Sequence, residues 1–99
     1  MIVASEVPSL NWQPETGCLT LPVNLTILNL DAWIKQHKVL QLPVVAVDFS
    51  ENQKMDSSIL AMIVHWALQS TTLIQLHNCP SQASTLIDLY DLQELVRLD

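Results

Sequence analysis

The fold of this chain turns on residues 43–68, PVVAVDFSENQKMDSSILAMIVHWAL. Pro43 is followed by an apolar, largely β-branched run, Val44-Val45-Ala46-Val47, that ends at Asp48-Phe49-Ser50. Apolar residues on successive rather than alternate positions predict a strand buried on both faces or central in its sheet. After a polar break, Met55-Asp56-Ser57-Ser58 opens a second apolar stretch, of helical length, that runs to Leu68. Two hydroxyls therefore stand where a buried strand hands over to a helix whose first N–H groups have no intrahelical acceptor. Such a junction can cap the helix, and it can also accept a phosphate or a partner's hydrogen bonds.

Outward from this stretch the chain reads as short alternating elements. Residues 10–13 form a strand, Pro14-Glu15-Thr16-Gly17 a turn, and residues 18–23 the second strand of a hairpin. Gly17 is the only glycine and supplies positive φ in that turn. Pro22 puts the second strand at an edge or ends its regular pairing. Residues 29–40 carry Leu30, Trp33, Ile34 and His37 at helical spacing, with Asn29 or Asp31 near the start and lysines near the end, as the helix dipole prefers. The second helix covers residues 57–70, and residues 71–77 are a β-branched strand. Pro80 marks a first helical position, Ala83, Leu86, Ile87 and Tyr90 form the inner stripe of a third helix, and residues 95–98 close the chain as a short edge strand. Helical crossovers make the later strand pairs parallel. The expected fold is α/β, a mixed β-sheet with helices packed mainly on one side.

Ninety-nine residues make one domain spanning 1–99. A hydrophobic share of 49% fills a core, while 14% charged residues is low for a free-standing surface, so some apolar surface is expected to meet a partner. With a net charge of −6, the cations Lys35, Lys38, Lys54 and Arg97 are too few and too scattered to bind nucleic acid. Residues 1–6 lack the basic and apolar regions of a signal peptide. The longest apolar run, residues 59–68, holds His65 and is too short to cross a bilayer. The chain is expected to be cytoplasmic, which keeps Cys18 and Cys79 as thiols.

At a hundred-degree pitch the second helix has two sides. Leu60, Ile63 and Ala67, with Val64 beside them, are assigned to the sheet. Ser58, Met62, His65 and Gln69 point away, with Ile59 and Trp66 on a flank between. Either neighbouring helices cover Met62 and Trp66, or these residues are anchors of a protein-binding face that includes Ile59, with His65 at its rim. The low surface charge favours the second. Asp56 is a good N-cap, which makes Ser57 and Ser58 ordinary first-turn residues. The alternative is a switch, because a phosphate here adds about −1.5 to −2 charges beside Asp48, Glu51 and Asp56. No zinc spacing, Gly-rich phosphate loop or paired nucleophile and base is present, so an enzyme, a metal site and a cofactor are not expected.

The strand at 44–49, Met55-Asp56-Ser57-Ser58 and the apolar helix together resemble the STAS domain, named for sulfate transporters and anti-sigma factor antagonists. The likeness runs from the first hairpin to Leu89-Tyr90-Asp91-Leu92. The short acidic chain is most similar to the MlaB-like branch, the small cytoplasmic STAS subunits of bacterial ABC systems that move phospholipids between inner and outer membranes. It shares their length, a tryptophan near the N-terminus and a Leu-Tyr-x-Leu segment near the end. That resemblance implies a non-catalytic subunit that binds the transporter's ATPase, supports outer-membrane lipid asymmetry, and meets the inner membrane only through its partner. Anti-sigma factor antagonists, the other branch, imply a phosphoacceptor at Ser58 and a partner kinase. The transporter subunits place their key hydroxyl directly after the Asp, at Ser57. Ile59 stands where both patterns have glycine. Its branched side chain is expected to obstruct a kinase and so to favour constitutive docking.

Overall fold

The computed structural model describes residues 7–98, so the reading of residues 1–6 lies outside the described residues. Strands β1 (Asn11–Gln13) and β2 (Cys18–Thr20) form the antiparallel hairpin. Gly17 turns it at φ 66°, and a Cβ there would stand 2.6 Å from Val45 Cγ2, so both backbone and space demand glycine. The main sheet continues with β4 (Ala46–Asp48), β6 (Ile74–His77) and β7 (Val96–Leu98), in the order β1-β2-β4-β6-β7. Every pair after the hairpin is parallel, each joined through a helix: α1 (Leu30–His37), α2 (Ile59–Gln69) and α3 (Ser81–Leu89). The α/β class and the mixed sheet are as the sequence indicated.

Register explains why the helices gather on one face. Leu19, Val47 and Leu76 lie opposite one another across the three central strands and are fully buried. Their neighbours Cys18, Gln75 and Arg97, on the other face, keep contact with water. β4 is the central strand, one of the two alternatives its sequence offered, and it is buried on both faces at Ala46 and Val47 while Asp48 keeps contact with water. Gly17 O accepts the N–H groups of both Val45 and Ala46, at 2.9 and 3.1 Å. One residue is thereby inserted, so that Val44 and Val47 both enter the core while Val45 faces out.

Several elements are shorter than their sequence patterns. α1 stops at His37 because Lys38 takes a left-handed conformation, φ 52°, and the chain tightens into a 3-10 turn over Val39–Gln41. Pro80 is the residue before α3 rather than its first helical position. Tyr90, expected on the inner stripe of α3, is 54% exposed: its N–H closes the helix on Leu86 O, and Asp91 then takes φ 60°. The sequence pattern also missed a two-residue parallel ladder outside the main sheet, β3 (Asn24–Leu25) with β5 (Lys54–Met55). This ladder draws the loop before α1 against the start of α2.

Candidate docking site on the second helix

The site is built around Asp56, the residue after β5. Its Oδ1 accepts the Ser58 N–H at 3.0 Å and the Ser58 hydroxyl, and its Oδ2 accepts the Ile27 N–H at 2.9 Å. It thus caps the turn over Ser57 and Ser58 that opens onto α2 and ties that turn to residues 26–29; the helix itself starts at Ile59, so Ser58 and not Asp56 holds the N-cap position that the sequence assigned to Asp56. Partial burial pushes the Asp56 carboxyl up, but the Ile27 N–H and the Ser58 hydroxyl and N–H outweigh it and hold the group below its ordinary value.

The loop over residues 26–29 is well satisfied. Asn29 Oδ1 accepts the Thr26 N–H, Asn29 Nδ2 donates to Asn24 O, and the Leu28 N–H reaches Thr26 Oγ1. These bonds fix a backbone that presents Ile27 and Leu28 to water, the latter 92% exposed. Nothing in the periodicity of the sequence marked them, because they precede the first helix rather than share its stripe.

The two serines differ. Ser57 is exposed, whereas Ser58 is half-buried with its hydroxyl spent on Asp56. From Ser57 an open stripe runs along α2 through Ala61 and Val64 to Leu68, which is 75% exposed. Beside it a groove of about 530 Å³ is lined by Ser57, Leu60, Ala61, Val64, Tyr90 and Leu92, and Leu89 stands exposed at the end of α3. A more polar cleft of about 410 Å³ near Asn11, Asn24, Asn29 and Glu51 lies past the end of β2. Polar walls of that kind are stable in contact with water, while the α2 groove leaves apolar surface uncovered.

This stripe is not the one expected. Met62 and Trp66, expected as anchors on an open flank, are 1% and 2% exposed, and Ile59 is equally buried. The segment from the 3-10 turn to Val45 packs over that flank: Gln41, Leu42 and Val44 line the same recess as Trp66. His65 is half-buried, and its Nε2 donates to Leu40 O at 3.0 Å, so it pins this covering segment rather than standing at a rim. Relative to the expectation, the buried arc is rotated by roughly 60° about the helix axis at the usual pitch. Ile59 is turned inward, 1% exposed.

Elsewhere among the described residues no cluster of His, Cys, Asp or Glu could hold a metal ion. Burial raises the Cys79 thiol; burial and then the Asp48 carboxylate raise that of Cys18, and neither cysteine is paired. No described helix is long and apolar enough to cross a membrane. Comparison with family models, curated proteins and solved structures finds no match for this chain.

Proposed function

We propose that this chain is a non-catalytic docking domain of the STAS type, which binds the ATPase of an ABC transporter for intermembrane phospholipid transport. The observation that carries this reading is the apolar stripe Ala61–Val64–Leu68 with its groove against Tyr90 and Leu92, left uncovered on a chain with few charges. Ser57, the hydroxyl that the transporter branch uses, lies in the groove itself and is free to bond a partner. The domain meets the inner membrane through that ATPase, on the cytoplasmic side.

Purification of the natively expressed chain, followed by mass spectrometry, tests the reading. An ABC ATPase is expected with the wild type and is expected to be lost with Leu68→Ala combined with Tyr90→Ala. Retention of the ATPase by that double variant removes the groove from the proposal.

The second reading, an anti-sigma factor antagonist, draws on the bond between Ser58 and Asp56. A phosphate on Ser58 replaces a donor by an anion facing a carboxylate, which would release Asp56 from both the helix start and Ile27. Incubation with an anti-sigma kinase and ATP decides this: one phosphate gained at Ser58 favours the antagonist, and an unchanged mass dismisses it.

A further inference from the structure

We propose that the occupant of the α2 groove is a cationic amphipathic helix of the partner protein, an inference that rests on the docking reading above. Shape and charge argue it together. The open stripe Ala61–Val64–Leu68 on α2 is apolar over two turns, about 10 Å at 1.5 Å per residue, and borders a shallow groove that Leu60, Ala61 and Val64 share with Tyr90 and Leu92. A groove lined by spaced apolar side chains takes a helix that offers anchors at i, i+3, i+4 and i+7.

The charged residues next in sequence to the groove's lining are acidic. Asp91, exposed, lies between Tyr90 and Leu92, Asp56 directly precedes Ser57, and the exposed Asp88 and Glu94 stand two residues to either side of Tyr90 and Leu92. Residues 56–69 and 81–95 contain no lysine or arginine. The nearest cations in sequence are Lys54, on β5, and Arg97, on the open face of the sheet beside Gln75. Lys35 is paired with Asp31 on α1, so it does not neutralise these carboxylates. With a chain charge of −6, the same field repels an anionic membrane and a second copy of this chain. A helix with leucines along one face and lysines or arginines along its flanks satisfies both the groove and the acidic residues next to its lining.

Two synthetic helical peptides of equal length, one of leucine and lysine and one of leucine and glutamate, test this against the isotopically labelled chain by NMR. The Leu/Lys peptide is expected to shift the amide signals of Ala61, Val64, Tyr90 and Leu92, to bind more weakly as salt rises, and to lose roughly tenfold in affinity with D88N/D91N. Asparagine keeps the left-handed conformation at position 91 accessible, so that variant is expected to fold. The Leu/Glu peptide is expected to leave those signals unmoved. Equal binding of both peptides, or shifts confined to other surfaces, overturns the proposal. So does insertion of the same residues into vesicles of zwitterionic phosphatidylcholine with no response to the Leu/Lys peptide. If Tyr90→Ala weakens both peptides alike while D88N/D91N changes nothing, the cationic occupant is wrong and the groove as a docking site stands.

Discussion

At the scale of single residues, Asp56 does the most. One carboxylate caps the turn that opens onto α2 and holds the loop that carries Ile27 and Leu28. Asp56→Ala is expected to cost about 0.5–2 kcal/mol, the range for a lost N-cap, and to speed hydrogen exchange at the Ile27 and Ser58 amides together. Because the folded carboxyl lies below its unfolded value, its contribution is present above the ordinary carboxylate range and is lost as pH falls through the folded value. Asp48 acts in the same direction: partial burial raises it, but bonds from Asn78 and Ser50, with the charge of His77, overcome that. Urea midpoints followed from about pH 6 to pH 2 should therefore fall less steeply in Asp56→Asn than in the wild type. An identical slope would mean that these bonds do not form in solution. The thiols of Cys18 and Cys79, raised by burial, should alkylate slowly at neutral pH.

At the scale of elements, the orientation of α2 separates two sets of substitutions. Met62→Ala and Trp66→Ala empty the core and are expected to cost about 2–5 and about 3–5 kcal/mol in chemical denaturation. Leu68→Ala and Tyr90→Ala should stay within about 0.5 kcal/mol of the wild type, since both side chains face water. The sequence made the hairpin, the parallel central strands, the glycine turn and the capped turn that opens onto α2 legible, because each has a local chemical signature. It did not disclose which arc of α2 is buried. That helix is apolar on nearly every side, so its rotation is decided by residues 39–45, which fold over Trp66 from a distance in sequence. The β3–β5 ladder escaped for a similar reason: two residues carry no periodicity, and their pairing is set by the chain on either side. Ile27 and Leu28 went unnoticed with it.

At the scale of the whole molecule, a small acidic domain uses most of its apolar residues in one core and leaves an apolar line on α2, with carboxylates next in sequence to its groove. The core holds the helix, the Asp56 bridge ties its opening turn to the loop at residues 26–29, and the exposed line is the docking surface we propose. The most direct measurement is the affinity of the purified chain for the proposed partner, a transporter ATPase, compared between wild type and Ala61→Glu. Ala61 sits at the middle of the open stripe, and glutamate is a good helix former, so the variant should melt at the wild-type temperature. A loss of at least about tenfold in affinity with unchanged melting is the expected result. Wild-type affinity in Ala61→Glu would contradict the account, because a buried charge in the centre of the contact cannot go unnoticed.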